Sequence, residues 1–503
     1  MVGVFHKPFD LSLPPSRYLC AVKKNKQAIV LEKVLVEDHA GEGRSLARIE
    51  GKVIFIEDAV PGDVVDIRLS RNKKDWAEGK PIHFHSYSPD RVDPFCEHFG
   101  VCGGCQWQML PYAKQLYYKQ RQVEEVLGRI GKIELPAISP IIGASTNRYY
   151  RNKMEYTFAT KRFIPFAEYE KNIAKEMLAT TSHFPETVVD AGAAGFHARG
   201  FFEKVVDINT CHLQAEPTNA IRLAVKNFAQ QEGWPFYDIR HHTGFIRTMQ
   251  LRICRTGEIM VNVVLGYEDE IKRMKLLDHL VKNFPQVTTL LYTINTKMND
   301  SLYDLEPQVY TGEGFVIETM EDFKFKIGPK SFFQTNTAQG EELYKVTREF
   351  ASLTGKETVY DLYCGTGSIG IFLSKQGKKI IGVETIKEAI DDAKENALLN
   401  QLSHLSFFEG DVIDICTESF FRQHGKPDVI ITDPPRAGMH EKLVLKMLEM
   451  KAPRIVYVSC NPATQARDLN LLGEQYQVTK IQPVDMFPHT RHIENVVQLT
   501  LKK

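Results

Sequence analysis

Two short stretches near the end of the 503-residue chain carry groups able to make and break covalent bonds. "IVYVSCNP" puts Cys460 just past an apolar strand, with Asn461 and Pro462 closing the turn. "DMFPHTRHIENVVQLTL" puts His489, His492 and Glu494 immediately before another strand. A cysteine behind a strand is ordinarily a small packing group, and a polar run before a terminal strand is ordinarily a solvated loop. Brought to one sheet edge, the same residues make a nucleophile and a proton acceptor. A third stretch, "CEHFGVCGGCQWQ", holds Cys96, Cys102 and Cys105 in C-x5-C-x2-C spacing. Three thiols so crowded read as metal ligands, and a site of four lacks one of them here.

The partner chemistry comes from "TVYDLYCGTGSIG", where Gly365, Gly367 and Gly370 form G-x-G-x-x-G between a strand and a helix. Small residues there let a ligand approach the backbone at the carboxyl edge of a sheet. Glu384 ends the next strand, where a carboxylate can accept from two ribose hydroxyls, and Asp411 follows the third, where it can meet an adenine edge. "VIITDPPRAGM" adds Asp433, Pro434, Pro435 and Arg436 after the fourth strand. The prolines stiffen that loop and leave carbonyls free to accept. Asp361, on the first strand, and Asp433 would repel the pyrophosphate of NAD and attract a sulfonium and an ammonium. Electrostatics therefore favours S-adenosylmethionine. Beside a methyl donor a cysteine has a definite use. Carbon-5 of a pyrimidine is a poor nucleophile until a thiolate adds at carbon-6, and a base must later remove the carbon-5 proton. Cys460 suits the first task and Glu494 the second, with the histidines orienting it or contacting phosphate.

These groups need elements to hold them. From about residue 340 the pattern alternates helix and strand, which predicts an α/β, Rossmann-like domain with a parallel sheet, over 331–503. Residues 1–88 read as short strands broken at Gly41, Gly43, Gly51 and Gly62, fitting a small β-barrel of a kind that grips nucleic acid. Residues 89–330 open with the cysteine cluster and the helix "YAKQLYYKQRQVEEVLGRI", then continue as a mixed α+β domain. Basic and acidic residues balance at 63 each, so net charge gives no pointer to nucleic acid. The runs "RLSRNKK" and "NRYYRNK" concentrate cations locally, and the second offers tyrosines to unstacked bases. In isolation both also read as solvated faces. No apolar run approaches the ~18 residues of a spanning helix, and the start lacks the apolar core of a secretory signal. A cytoplasmic setting is expected, where clustered thiols bind metal rather than pair. Four thiolates suit zinc or iron–sulfur. Zinc usually takes two close pairs, so a close triplet favours iron–sulfur.

Together "SFFQTN", "DLYCGTGSIG", "DPPRAG", "VSCNP" and "MFPHTRHIE", in that order, resemble the RNA uracil-C5 methyltransferases, which make 5-methyluridine in ribosomal or transfer RNA. The resemblance covers nearly the whole chain. It implies an N-terminal RNA-binding TRAM barrel, a central domain holding a [4Fe-4S] cluster and a Rossmann-like domain for S-adenosylmethionine. It places Gln334, Tyr363, Ser368, Glu384, Asp411 and Asp433 at donor-binding positions, Cys460 as nucleophile and Glu494 as general base. It also makes Cys96, Cys102, Cys105 and Cys211 the cluster ligands, Cys211 supplying the missing fourth. Ser368 stands where many members carry asparagine, and residues 161–194 form a stretch longer than is usual. The TRAM-like barrel points to 23S ribosomal RNA, with transfer RNA as the alternative. No membrane and no obligate protein partner is expected. The competing classes are a non-catalytic RNA-binding protein and an iron–sulfur oxidoreductase using NAD.

Overall fold

Short runs with apolar residues at every second position form six strands between Val30 and Ser86 in the computed structural model, which describes residues 29–164 and 192–503. Apart from its two ends, the long stretch at 161–194 lies outside the described residues. Across the first sheet the order is Val30–Leu35, Val64–Asn72, Trp76–Ser86, Lys52–Ile56, Ser45–Ile49, Asp38–His39. The two outermost strands are separated in the chain only by Val36 and Glu37, so the sheet curls back on itself around Val34, Ile54, Ile56, Val65 and Ile67. Its alternating in-and-out pattern is what a half-buried strand requires.

A second, seven-stranded sheet spans Lys153–Ala159 to Gln308–Thr311. Its central strands Ile246–Ile253 and Ile259–Leu265 are almost wholly buried, with the helices Thr218–Gln231 and Glu270–Asn283 packed on their core.

The third sheet runs Leu405–Glu409, Lys379–Glu384, Thr358–Leu362, Val429–Thr432, Arg454–Ser459, Glu494–Leu501, Tyr476–Val484. The first five strands are mutually parallel and Glu494–Leu501 runs antiparallel between the last two neighbours. Near-continuous apolar runs such as "TVYDL" and "VIIT" suit strands buried on both faces. The strand order reverses between Thr358–Leu362 and Val429–Thr432, which opens a crevice at their carboxyl ends.

Two elements reach this core from earlier in the chain. The hairpin Val316–Met320 with Phe323–Ile327 puts Phe325 and Ile327 in one cluster with Val359 and Ile371. The helix Tyr112–Gly131, which follows the cysteine segment, buries Val123 and Leu127 with Leu469 and Leu472 of the helix Pro462–Leu472. Among the described residues no helix is long and apolar enough to cross a membrane.

Candidate active site

The glycine loop leaves the first strand of the third sheet through Tyr363, whose φ of 60° is left-handed and costly for an aromatic residue. Gly365 (φ 52°) faces open space, nothing lying within 4 Å of where a Cβ would stand, so a ligand can approach its backbone. Gly367 serves packing instead, because a Cβ there would press on Ala393 and the Phe407 ring at 3.0 Å. Glu384, at the end of the next strand, accepts from Gly365 N at 3.3 Å and from Thr385 N at 2.7 Å. Asp361 lies beneath the loop, accepting from Gly370 N at 2.9 Å through Oδ2. Its Oδ1 is buried without a partner. Burial, with Asp433 and Glu384 adding to it, pushes the Asp361 carboxyl up to about 7. A buried carboxyl oxygen lacking a partner is a place for a cation.

Ser368 opens the helix after the loop and exchanges a hydrogen bond of 2.8 Å with the Tyr344 hydroxyl. Tyr344 is buried and lies within the electrostatic reach of Asp361 and Asp433. Gln334 stands beside it, held from behind because Asn152 Nδ2 donates to its carbonyl at 2.8 Å. Asp411 caps the helix Val412–Ile415, its Oδ1 accepting from Ile413 N at 2.8 Å. A capping bond leaves the other oxygen able to meet a ligand.

Across the crevice, Cys460 follows Ser459, which pairs with Asn495 in the antiparallel ladder. That register brings Glu494 opposite the cysteine. Asn461 caps the following helix, its Oδ1 accepting from Ala463 N at 3.1 Å, with Pro462 at the first helical position. Burial first, then Glu494 and Asp433, pushes the Cys460 thiol up to about 11, while Arg436 pulls it down. The nearly buried Glu494 carboxyl is raised well above the usual carboxylate range by burial and by Asp433, with Arg436 again opposing. Desolvation takes Asp433 up to about 7. Arg436 is fixed by its own carbonyl, which accepts from Asn461 Nδ2 at 3.0 Å, and its guanidinium meets His492. Cys460, Glu494, Asp433 and Arg436 thus share one electrostatic site.

The segment Asp485–Glu494 is gripped from the cysteine region. His489 O accepts from Gln106 N at 2.9 Å and from Trp107 N at 3.1 Å. Tyr150 donates to Pro488 O at 3.0 Å, and Arg151 stacks over Phe487 at 5.2 Å. Burial pushes both His489 and His492 down to about 4, so each is neutral near pH 7.

Cys96, Cys102, Cys105 and Cys211 line one cavity of about 210 Å³, together with Phe99 and Phe196. Burial drives Cys102 up to about 11 and Cys105 up to about 12, and Cys105 is opposed further by the other three thiols. Among the described residues no three His, Cys, Asp or Glu are gathered closely enough to hold a metal ion. The four cysteines nonetheless converge, although Cys211 is 106 positions from Cys105.

Three contributors carried no role in the sequence. Tyr344 sits at helical spacing among apolar residues, where a core reading is natural. Asn152 hides within a run of cations. Arg436 was visible beside the prolines, but its contacts with His492 and Asn461 depend on tertiary structure.

A family profile described as tRNA (Uracil-5-)-methyltransferase matches residues 308–502, and a TRAM domain profile matches 32–82. An RNA methyltransferase of Bacteroides thetaiotaomicron, described as uncharacterized, is 49% identical over 466 residues, covering 92% of this chain and 100% of that protein. One from Chlorobaculum tepidum is 38% identical over 470 residues, covering 92% and 95%. The solved Pyrococcus abyssi tRNA (uracil-54, C5)-methyltransferase in complex with S-adenosyl-L-homocysteine superposes with a TM-score of 0.70 at 27% identity, covering 93% of this chain and all of that one.

Proposed function

The chain belongs to the RNA uracil-C5 methyltransferase family, an S-adenosylmethionine-dependent enzyme class, and from that premise we propose that it methylates carbon-5 of a uridine in 23S ribosomal RNA through a covalent adduct on Cys460. The observation that supports the covalent reading is the ladder pairing of Ser459 with Asn495, whose next rung would pair Cys460 with Glu494, together with the influence of the Glu494 carboxyl on the Cys460 thiol.

The target uridine leaves its stack, because carbon-6 is out of reach within one. The Cys460 thiolate adds to carbon-6, and the electron pair moves to make carbon-5 nucleophilic. S-adenosylmethionine, when bound, supplies the methyl group. Gln334, Tyr363, Ser368, Glu384, Asp411 and Asp433 would hold it, and Asp361 beneath the loop presents an unpartnered carboxyl oxygen. Glu494 then takes the carbon-5 proton; the C–H pair becomes the C5–C6 double bond, and the C6–S bond breaks to release the thiolate. Arg436 eases ionisation of both groups. The exposed Tyr149, beside Arg148 and close to His212, offers a face to an unstacked neighbouring base.

Cys96, Cys102, Cys105 and Cys211 would hold a [4Fe-4S] cluster. Support comes from their arrangement. Four thiols ring a cavity of about 210 Å³ rather than a point, and a multi-iron group spaces its thiolates more widely than one zinc ion does. A cationic group among them would also offset their mutual opposition to ionisation.

Transfer RNA is the second reading, favoured by the chain-wide likeness to the Pyrococcus abyssi enzyme, which acts on a tRNA. Mapping 5-methyluridine in ribosomal and transfer RNA from a deletion strain separates the two. Loss from ribosomal RNA alone is expected. Cys460→Ala that still transfers methyl groups to RNA would sink the covalent mechanism.

A further inference from the structure

We infer that Gln115 and Lys119, on the helix after the cysteine segment, are positioning residues for the general base, acting through the segment Asp485–Glu494. This rests on Glu494 being that base.

Both side chains are fully screened from solvent, and both spend their polar atoms on the same distant segment. Gln115 Oε1 accepts from His489 N at 2.8 Å, and Gln115 Nε2 lies 3.1 Å from His489 Nδ1. The same Nε2 also reaches Trp107 O at 3.0 Å and Leu110 O at 2.9 Å, tying the helix to the residues that follow Cys105. Lys119 Nζ donates to Asp485 Oδ1 at 2.6 Å and to Phe487 O at 3.1 Å. Asp485 is further held by the Tyr112 hydroxyl at 2.8 Å, and its Oδ1 accepts from Phe487 N at 3.1 Å.

These bonds hold a conformation the backbone would not choose. His489 has a φ of 64°, left-handed for a residue with a β-carbon, which costs on the order of 1 kcal/mol or more. Freed of Gln115, the turn can relax, and Glu494 lies only five positions further on. Its other side is fixed by the ladder that begins at Glu494 itself, so a relaxing turn pulls on the first rung. Attack and methyl transfer depend on Cys460 and the glycine loop, which neither residue touches. Proton removal depends on Glu494.

Misplacing the base therefore slows release of the finished RNA and leaves its attachment intact. Gln115→Leu in the full chain is expected to lower kcat about 10- to 100-fold with the RNA KM within about twofold. RNA covalently bound to the protein should accumulate as an SDS-stable complex. Glu494→Gln is the reference, and Lys119→Met combined with Asp485→Asn is the second variant, which removes the buried charges together. If Glu494→Gln traps no complex, the base assignment fails. If Glu494→Gln traps complex while both folded variants turn over without trapping any, the positioning role alone is overturned. Loss of fold in both variants overturns it as well, because the contacts would then serve stability rather than the base.

Discussion

Lys119 and Asp485 form an ion pair of 2.6 Å, neither side chain exposed to solvent, across 366 positions of sequence. Burial pulls the Lys119 ammonium down and Asp485 holds it up. Removing one partner of such a pair leaves a bare buried charge, at a cost of about 3–5 kcal/mol. Asp485→Ala should lower the urea midpoint markedly at pH 7. The variant should regain part of the loss as pH rises, since an unpaired buried lysine sheds its proton more readily than an unfolded one. Urea titrations at pH 7 and 9.5 check this.

Asp361 carries the opposite sign. A folded carboxyl raised to about 7 from 3.8 binds more protons than the unfolded one between those values, so its stability contribution falls as pH rises through that window. Asp361→Asn, whose amide oxygen still accepts from Gly370 N, should stabilise the ligand-free protein by on the order of 2–4 kcal/mol above pH 7 and by little near pH 4. It should also weaken S-adenosylmethionine binding. Thermal melts across pH, with donor calorimetry, read both effects.

Cys460 ionises against two acids and with one cation. Glu494→Gln should speed alkylation of this thiol by iodoacetamide at pH 8, and Arg436→Met should slow it. A change of one pKa unit in the thiol alters the thiolate fraction about tenfold. Equal rates in all three proteins would show that burial alone sets the thiol.

The cysteine ring makes a prediction about order of failure. On the proposed cluster, Cys102→Ser should reduce the iron that co-purifies with the protein, and should lower thermal stability and RNA affinity before turnover of the remaining folded enzyme. Lost turnover at unchanged stability and RNA affinity would bring the ring into the chemistry. Iron assays on anaerobic preparations, filter binding and single-turnover rates decide it.

Tyr149 is 51% exposed at a φ of 55°, its N–H donating to His212 O at 2.8 Å. A lost base stack costs about 1–3 kcal/mol. Tyr149→Ala should therefore raise the RNA KM roughly 5- to 100-fold, leaving donor affinity unchanged, and Tyr149→Trp should restore it.

Several candidate site residues could be placed from the sequence because they sit at the carboxyl ends of strands the alternating pattern locates, whereas Glu494 begins its strand. Gly365, Glu384, Asp433 and Cys460 follow strands that pair in parallel, and such ends converge at a switch point. The supports were not legible. Lys119 reads as one more cation of an amphipathic helix, and Gln115 as a polar surface position, yet both are fully buried. Periodicity reports which face of a helix is apolar, not which distant segment meets its polar atoms. The hairpin Val316–Ile327 belongs to the same class, since its alternation fits either neighbouring sheet and only packing places it with Val359.

The rung between Ser459 and Asn495 has one more consequence. Carbon-6 and carbon-5 of uracil are adjacent atoms, so the proposed attack and proton removal need two groups at a fixed, short separation. The ladder that ends at Ser459 and Asn495 spaces its strands by about 5 Å, and the side-chain contacts of Gln115 and Lys119 support the segment that leads into it. Tyr149, the residue proposed to stack on RNA, lies outside this ladder. On the proposed function, selectivity and reactivity then draw on different residues of the chain.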